Sequence, residues 1–340
     1  MALTDAYRRV AVIGAGAWGT TLANLLAEQG YTVMLWVYER ELANSLRRER
    51  VNTLYLPGVA LHPHVMPTAD LTEVVREVTR FVSVVPSHGA RAVWHAIGPL
   101  LPGHSLLISA TKGIEADSLL TMSQVLKAVI PSDKQVDIAV LSGPSFAREV
   151  SQKIPTAVVA AAASQRVAEA AQQLFSTPLF RVYTNTDMLG VELGGALKNV
   201  IAIAAGVCDG LQFGYNTRAA LITRGLAEMA QLGVAMGARA QTFAGLSGMG
   251  DLVLTCTGEL SRNHTVGVQL GQGKSLADIL SHMHAVAEGV RTAGSAVALG
   301  KRYDVAMPIA EHVYAILQSQ IHPRDAVTAL MTRALKREDV

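Results

Sequence analysis

Residues 9–19 read Arg9-Val10-Ala11-Val12-Ile13-Gly14-Ala15-Gly16-Ala17-Trp18-Gly19, and this stretch decides the fold of the first half of the chain. Its first part is a short apolar, β-branched run, which is typical of a buried parallel strand. The glycines that follow have the spacing G-x-G-x-x-G, and helical periodicity begins at Thr20. A second strand is predicted over 32–37, so the motif lies inside a strand–helix–strand unit. That context predicts a dinucleotide-binding site.

The three glycines of the motif have separate roles at a coenzyme pyrophosphate. Gly14 permits the tight turn, Gly16 lets the backbone approach the pyrophosphate, and Gly19 allows the helix to pack closely on the strand. The pyrophosphate would then lie on free N–H groups at the positive end of the helix. Ala17 and Trp18 stand at that helix start, so we expect their backbone to meet the phosphates.

The residues after the second strand bear on the choice of coenzyme. They read Tyr38-Glu39-Arg40. An acidic residue at this position binds the ribose hydroxyls of NAD, whereas a nearby arginine holds the 2′-phosphate of NADP. Because Glu39 and Arg40 are adjacent, the signal is mixed, and we expect use of both coenzymes or a preference for NADP.

Strands and helices alternate up to residue 185, which predicts an α/β fold with a doubly wound, mostly parallel sheet. Residues 52–67 are rich in proline and histidine and are predicted to be irregular. Further strands are predicted over 81–85, 105–109, 139–141, 157–163 and 180–184.

Two loops at the carboxyl ends of these strands are candidates for ligand contact, because such ends face the crevice of a doubly wound sheet. Lys112 follows the strand over 105–109, and we expect it to contact phosphate or substrate. Residues 142–147 read Ser142-Gly143-Pro144-Ser145-Phe146-Ala147 and lead into a predicted helix start. Free N–H groups there, together with the Ser145 hydroxyl, suit an anion.

From residue 186 onward, segments rich in Ala, Leu, Gly and Met with a 3.6-residue period predict an all-helical domain. We therefore divide the chain into domains over 1–185 and 186–340. The helix that opens the second domain contains Lys198, preceded by Gly194 and Gly195. Lysine is almost never fully buried unless it is paired or functional. Two interpretations are open: a functional amine with glycines that make room for a ligand, or a lysine that snorkels to the surface.

Two polar groups in the second domain are also open to two interpretations. Asp251 follows a glycine-rich turn, so it either caps a helix or belongs to a site. Ser261-Arg262-Asn263 combine a hydroxyl, a guanidinium and an amide, which suits a phosphate but also fits a plain surface turn.

Composition excludes several classes of protein. Half of the 340 residues are hydrophobic, 16% are charged and the net charge is +2, so we expect a globular protein without a nucleic-acid footprint. Cys208 and Cys256 indicate a reducing compartment, and no histidine has metal-ligand spacing, so no metal is expected. The sequence shows no signal peptide and no apolar run of the ~20 residues that a membrane span needs. We therefore expect a soluble, cytoplasmic protein.

Taken together, these segments resemble the bacterial-type NAD(P)-dependent sn-glycerol-3-phosphate dehydrogenases. Several distinct motifs in the family's order are far more specific than the glycine motif alone. The matching segments are Ile13-Gly14-Ala15-Gly16-Ala17-Trp18-Gly19, Ala110-Thr111-Lys112-Gly113, Leu141-Ser142-Gly143-Pro144-Ser145-Phe146-Ala147, Gly194-Gly195-Ala196-Leu197-Lys198-Asn199-Val200, Gly248-Met249-Gly250-Asp251-Leu252 and Ser261-Arg262-Asn263.

The resemblance implies a Rossmann domain followed by an all-α domain of the 6-phosphogluconate-dehydrogenase C-terminal type. It implies reversible NAD(P)H-dependent reduction of dihydroxyacetone phosphate to sn-glycerol 3-phosphate, which supplies glycerophospholipid biosynthesis, with Lys198 as catalytic acid/base. The implied substrate contacts are Lys112, Gly143, Ser145, Lys198, Asp251, Ser261, Arg262 and Asn263. The cofactor contacts, with the motif glycines Gly14, Gly16 and Gly19, are Ala17, Trp18, Tyr38, Tyr55, Lys112, Ala147, Arg262, Val286 and Glu288.

Two other functions are open at this point. A β-hydroxyacid or 6-phosphogluconate-type dehydrogenase would share the architecture and prefer a hydroxyacid that bears a carboxylate. A non-catalytic nucleotide sensor would need only the Rossmann fold, and the joint presence of Lys198, Asp251 and Ser261-Arg262-Asn263 argues against it. We also expect a homodimer, because the helical half is unusually apolar.

Overall fold

The computed structural model describes residues 8–283, 286–335 and 337–338. Its strands form an eight-stranded sheet with the spatial order β3-β2-β1-β4-β5-β6-β7-β8. All neighbouring strands are parallel except β6 and β7, which are antiparallel. The predicted mostly parallel, doubly wound sheet is thereby confirmed. The strands are β1 (Arg9–Ile13), β2 (Thr32–Trp36), β3 (Val65–Thr68), β4 (Arg80–Ser83), β5 (Leu106–Ser109), β6 (Asp137–Ser142), β7 (Thr156–Ala162) and β8 (Phe180–Asn185).

Helices cover both faces of this sheet. One face buries Leu22 and Phe175 from helices and Val12 from β1, and the other buries Trp94 and Phe81. Both faces of the sheet are therefore shielded from water, which explains why the strand sequences are continuous apolar runs. The helices are α1 (Ala17–Glu28), α2 (Arg40–Glu49), α3 (Leu71–Val75), α4 (Ser87–Ile97), α5 (Met122–Val129), α6 (Ala147–Ser151) and α7 (Gln165–Phe175).

Strand β3 lies in the segment that was expected to be irregular. The prediction for 52–67 is wrong at its end, since Val65 to Pro67 belong to β3 and pair with β2. Proline masks the signal, because it donates no backbone hydrogen bond and rarely occurs inside sheets. Pro67 is tolerated here because β3 is the edge strand of the sheet.

The second half of the chain is helical. Beyond Asn185 the described residues form helices and turns without a further strand. A π-helical turn, Leu246–Gly250, precedes one of the helices. The helices are α8 (Met188–Gly210), α9 (Tyr215–Ala235), α10 (Ala240–Phe243), α11 (Asp251–Thr257), α12 (Arg262–Gly271), α13 (Leu276–Ser281), α14 (Glu288–Arg302), α15 (Pro308–Leu317) and α16 (Pro323–Met331).

Helix α8 is the core of this half, and every residue from 193 to 208 is buried. A helix that is apolar all round is a core helix or a membrane span. Of the described helices, α8 alone is long and apolar enough to cross a membrane, but 94% of that window is buried inside the structure. Helix α12 packs so closely on it that a Cβ on Gly267 would lie 2.1 Å from the Ile203 carbonyl oxygen.

Candidate active site

The carboxyl ends of the central strands meet at one edge of the sheet. The register of β1, β4 and β5 places Ile13, Ser83 and Ser109 level with one another. The strand order reverses between β1 and β4. In sheets of this kind, ligands bind in the crevice at such a reversal.

The glycine turn after β1 has the geometry that a pyrophosphate needs. Gly14 adopts φ +116°, and a Cβ on Gly19 would lie 1.8 Å from the Gly14 carbonyl oxygen. Gly16 is the N-cap of α1 and offers no side-chain cap, and a Cβ built there meets nothing within 4 Å. The first N–H groups of α1, at Ala17 and Trp18, therefore face open space, so the turn fits the phosphates of a dinucleotide.

A buried asparagine supports this turn from behind. The Asn52 side-chain amide donates to the Ala15 carbonyl and to the Thr20 hydroxyl, both at 2.8 Å. Asn52 lies in the segment predicted to be irregular, and nothing in its local sequence distinguishes it from a loop asparagine. Its role becomes visible only when the loop folds back onto α1.

Two substitutions in the turn separate coenzyme binding from folding. Gly16→Val is expected to raise the Kd for NADH about tenfold or more, equivalent to at least ~1.4 kcal/mol, because the side chain would fill the space above the helix start. Its backbone, φ −65° and ψ −178°, accepts any residue, so Tm should hardly change. Gly19→Ala should lower Tm instead. Fluorescence titration and thermal melts test this; unchanged NADH affinity in Gly16→Val would contradict the assignment.

The predicted adenosine contacts lie at the end of β2. Tyr38 is 78% exposed, and the Tyr55 hydroxyl donates to Glu39 Oε1 at 3.0 Å. Burial, and secondarily Glu39, raises the pKa of Tyr55. Glu39 and Arg40 remain adjacent at the N-terminus of α2, so both coenzymes stay possible in chemical terms. The carbonyl of Ala147, the first residue of α6, accepts a hydrogen bond from the Thr21 hydroxyl of α1 at 3.2 Å.

The ammonium of Lys198 lies inside the structure, and the snorkelling interpretation is wrong. Lys198 is 6% exposed, and its Nζ donates to Asp251 Oδ1 at 2.5 Å and to Thr255 Oγ1 at 2.7 Å. Asp251 begins α11, and no side-chain cap is made there, so the capping interpretation is wrong as well. Thr255 is a further member of the site that sequence reasoning missed, because a threonine in an apolar helix carries no local signal.

A second lysine shares the same carboxylate. Lys112 Nζ donates to Asp251 Oδ2 at 2.6 Å and to the Gly143 carbonyl at 3.0 Å. The Ser145 hydroxyl donates to the same carbonyl at 2.9 Å. Asp251 is 1% exposed, whereas the side chain of Lys112 is 19% exposed. The structure thus brings together five of the predicted substrate contacts, Lys112, Gly143, Ser145, Lys198 and Asp251, with Lys112 nearest to solvent.

The charge state of Lys198 is set by opposing effects. Burial lowers the pKa of its ammonium to about 8, because little water remains to solvate the charge. The Asp251 carboxylate opposes this shift, and the Lys112 ammonium adds to it. An amine with a pKa near neutrality can both donate and accept a proton, as an acid/base group must.

Gly194 and Gly195 do not make room for a ligand, and that interpretation is wrong. A Cβ on Gly194 would lie 2.7 Å from the Ser247 carbonyl oxygen, and one on Gly195 would lie 2.6 Å from Ser142 Oγ. Both glycines therefore let α8 pack against neighbouring protein backbone and side chains. The space was inferred correctly from the sequence, but its occupant is the protein itself.

The start of α12 carries the predicted Ser261-Arg262-Asn263 group. Ser261 is the N-cap, and its Oγ accepts from the His264 N–H at 3.2 Å. Asn263 is internal: it donates to Asn199 Oδ1 at 2.8 Å and accepts from the Gly289 N–H at 2.9 Å. These bonds tie α8, α12 and α14 together, which leaves Arg262 as the member of the group that reaches out.

Arg262 is exposed and has no hydrogen bond or ion pair to any described residue. Surrounding protein nevertheless lowers the pKa of its guanidinium, while Glu288 opposes that effect. The guanidinium is thus open to solvent on one side and close to protein on the other. A guanidinium in that position is suited to hold a phosphate in two-point contact.

Glu288 connects the helical half to the sheet. Its Oε1 accepts from the Ser87 N–H at 2.9 Å, and its Oε2 accepts from the Ser87 hydroxyl at 2.5 Å. Gly113, next to Lys112, packs against both side chains. Val286 lies half-buried just before α14. The predicted contacts Val286 and Glu288 therefore lie at the mouth of the crevice, beside the loop that carries Lys112.

Within residues 8–283, 286–335 and 337–338, no group of three or more His, Cys, Asp or Glu side chains is arranged to hold a metal ion.

Two family models match most of the chain. The model for the N-terminus of NAD-dependent glycerol-3-phosphate dehydrogenase matches residues 9–168, and the model for its C-terminus matches residues 187–328. The first match covers strands β1 to β7, and the second covers most of the helical half.

Individual proteins agree with this match. A glycerol-3-phosphate dehydrogenase (NAD(P)+) of Geobacter sulfurreducens is 59% identical over 330 residues, which cover 97% of this chain and 98% of that protein. One from Citrifermentans bemidjiense is 56% identical over 332 residues, covering 98% and 99%. The crystal structure of glycerol-3-phosphate dehydrogenase from Coxiella burnetii, 38% identical, has a TM-score of 0.92 and covers 96% of this chain and 99% of that one.

Proposed function

The chain belongs to the NAD-dependent glycerol-3-phosphate dehydrogenase family, and from that premise we propose that its crevice reduces dihydroxyacetone phosphate to sn-glycerol 3-phosphate, reversibly, with NADH or NADPH. The observation that carries this proposal is the buried Lys198, which shares Asp251 with Lys112 at the carboxyl edge of the sheet. A carbonyl reductase needs a proton donor beside a coenzyme site, and a phosphorylated substrate needs cations nearby.

The protein's own residues orient the substrate and move one proton. A bound nicotinamide coenzyme supplies the hydride for the C2 carbonyl. Lys198 Nζ, as ammonium, donates a proton to the oxygen that becomes the new hydroxyl, and takes it back in the reverse reaction. Asp251 and Thr255 fix the direction of the amine. Catalytic Lys198 is thus supported by burial and by its lowered pKa.

The substrate phosphate needs a positive surface at the cleft mouth. Arg262 is the exposed cation of the cleft, and it begins α12, whose N-terminal dipole also favours an anion. Lys112, on the loop after β5, adds a second positive charge beside Asp251. We assign the phosphate to Arg262 at the start of α12, where the side chains of Ser261 and Asn263 are engaged within the protein. We assign the substrate hydroxyls to Lys112 with Gly143 and Ser145. Such anchoring fixes the carbonyl in reach of the proton donor.

The direct test is the oxidation of NADH when dihydroxyacetone phosphate is added to the purified protein. Parallel assays with NADPH measure the coenzyme preference, for which we keep the expectation of dual or NADP-leaning use. A carboxylate-bearing hydroxyacid and 6-phosphogluconate are tested beside glycerol 3-phosphate in the oxidative direction. Preferred oxidation of either would favour the rival dehydrogenase function, and no turnover of any of them would favour a nucleotide sensor.

The pH dependence of this reaction follows from Lys198. Its pKa of about 8 lies below the ordinary 10.5, so the ammonium that reduction requires is present below about pH 8 and is lost above it. At saturating coenzyme, kcat/KM for reduction should be level up to about pH 8 and then fall about tenfold per pH unit. For oxidation, kcat/KM should rise with pH and level off above about 8. Reduction that stays level to pH 10 would contradict this role.

We further propose a domain boundary, a cellular compartment and an oligomeric state for the enzyme. The domain division at residues 185 and 186 is supported by the sheet, whose last strand ends at Asn185. Two free, buried cysteines suit a reducing cytoplasm, where the product would supply glycerophospholipid synthesis. A homodimer is proposed from the apolar character of the helical half, and sedimentation of the purified protein tests it.

A further inference from the structure

Glu192 is a half-buried acidic side chain of α8 that the proposed mechanism does not use. It precedes Lys198 by six residues on the same helix. We propose that Glu192 is a positioning residue: it anchors the loop that carries Lys112 (residues 110–121, the Lys112 loop) to the helix that carries Lys198. This inference rests on the proposed function, since it concerns the geometry of that same site.

The carboxylate of Glu192 accepts hydrogen bonds from Thr121, the last residue of the Lys112 loop, and from Ser123 in the first turn of α5. Its Oε1 accepts from the Ser123 N–H at 2.7 Å. Its Oε2 accepts from the Ser123 hydroxyl at 2.6 Å and from the Thr121 hydroxyl at 2.9 Å. Thr121 is the N-cap of α5, so Glu192 also lies at the positive end of that helix.

Contacts within the loop connect the end held by Glu192 to the end that carries Lys112. Ile114 and Thr121 form a β-bridge that closes the loop, and the Glu115 N–H donates to the Leu120 carbonyl at 3.0 Å. Ile114 is two residues from Lys112 in the chain. A loop closed in this way moves as a unit, so the hold on Thr121 limits the movement of Lys112.

Helix α8 touches the loop a second time, beside Lys112 itself. A Cβ on Gly195 would lie 3.6 Å from Lys112 Cγ. Glu192 and Gly195 are three residues apart and share one face of the helix. One helical face thus holds one end of the loop by hydrogen bonds and leaves space for the lysine at the other end.

Displacement of the loop would change the acid/base group. Three titratable groups act on Lys198: the Asp251 carboxylate, the Lys112 ammonium and the Cys256 thiol. The Lys112 ammonium partly neutralises the Asp251 carboxylate and repels the Lys198 ammonium. Both effects lower the pKa of Lys198. If Lys112 moves away, Lys198 gains the undivided carboxylate, and its proton is held more tightly.

The surroundings of Glu192 indicate that it holds the loop in place and is not a second acid. Burial raises the pKa of Glu192, whereas the hydrogen bonds from Ser123 and Thr121 and the charge of Lys127 oppose this shift. These hydrogen bonds are donated to the carboxylate, so its acceptor oxygens are what the loop requires. Glutamine keeps the shape but replaces one acceptor with a donor.

The chain offers a matched control for Glu192→Gln. Glu228 on α9 is buried, and its carboxylate likewise lies at a helix start, where it accepts from the Ile309 and Ala310 N–H groups of α15, both at 2.9 Å. It lies within the helical half and touches no residue of the site. Glu228→Gln therefore reproduces the chemistry of the substitution without the connection to Lys112.

The experiment compares kcat/KM against pH for the wild type, Glu192→Gln and Glu228→Gln, all at saturating NADH. Glu192→Gln should lower kcat/KM for dihydroxyacetone phosphate about ten- to a hundredfold through misplacement of Lys112. The pH at which reduction begins to fall should move upward. Glu228→Gln should leave both within about twofold of the wild type, since effects at distant sites are independent.

A double-mutant cycle with Lys112→Ala tests whether Glu192 acts through that lysine. In the Lys112→Ala background, Glu192→Gln should have little further effect on kcat/KM or on the pH profile. Full additivity would overturn the inference. If Glu192→Gln does not fold, Ser123→Ala removes only one of the hydrogen bonds and should give a smaller upward shift of the profile.

The two proposals fail in different ways. A wild type that does not reduce dihydroxyacetone phosphate overturns the proposed function. A wild type that does, with Glu192→Gln and Ser123→Ala matching Glu228→Gln in rate and pH profile, overturns only the role of Glu192.

Discussion

Lys198→Ala is expected to lower kcat for the reduction of dihydroxyacetone phosphate by about 10²–10⁴-fold, the usual effect of losing a positioned general acid. The reason is geometric. Lys198 is the buried amine whose proton affinity is tuned toward neutrality, and Lys112, its neighbour, is committed to Asp251 and the Gly143 carbonyl. The loss should appear in both reaction directions, because the same amine returns the proton.

The substitution leaves the rest of the protein testable. Removing one partner of a buried ion pair usually costs about 3–5 kcal/mol because the other charge stays unpaired. In Lys198→Ala the Asp251 carboxylate does not stay unpaired, because Lys112 still contacts it at 2.6 Å. We therefore expect a smaller loss of stability. NADH affinity should stay near that of the wild type, because the glycine turn lies in the sheet domain. Lys274→Ala, at an exposed lysine of the helical half, is the matched control. More than a few per cent of wild-type kcat in Lys198→Ala would rule out the assignment.

The sequence predicted those features that depend on neighbours in the chain. The glycine turn after β1 follows from the G-x-G-x-x-G spacing between two apolar strands, and the structure has both. Lys198 is conspicuous because a charge interrupts an apolar helix. The Lys112 position follows from the rule that strand ends face the crevice. In each case a few adjacent residues carry the information.

Residues that act across long distances in the chain carried no such signal. Asn52, Thr255 and Glu192 each have an ordinary local sequence, and their partners are distant or depend on a helical turn. Gly194 was noticed correctly as a site of close approach, but only the fold shows that the approaching atom is the Ser247 carbonyl. Periodicity predicts which face of a helix is buried, but it does not say which element covers that face.

Asp251→Asn is expected to lower kcat/KM about ten- to a hundredfold and to move the pH profile downward. The carboxylate raises the pKa of Lys198 against the effect of burial, so its loss removes the main effect that opposes burial and the Lys112 charge. The pKa of Lys198 then falls below about 8, and the ammonium that reduction requires is lost at lower pH. Asparagine keeps the shape of the side chain, so the change reports on charge rather than on packing.

Both reaction directions must shift together in Asp251→Asn. At one pH and with each coenzyme saturating, the ratio of kcat/KM for reduction to that for oxidation is set by the overall equilibrium constant and by the ratio of the two coenzyme dissociation constants. Asp251 lies outside the glycine turn, so Asp251→Asn should leave that ratio unchanged. The pH at which reduction begins to fall and the pH at which oxidation levels off should therefore both move downward by the same amount. Glu192→Gln should move them upward, because it withdraws the Lys112 cation and leaves the carboxylate. Profiles of Asp251→Asn that keep their break near pH 8, or move upward, would show that Asp251 does not control the proton of Lys198.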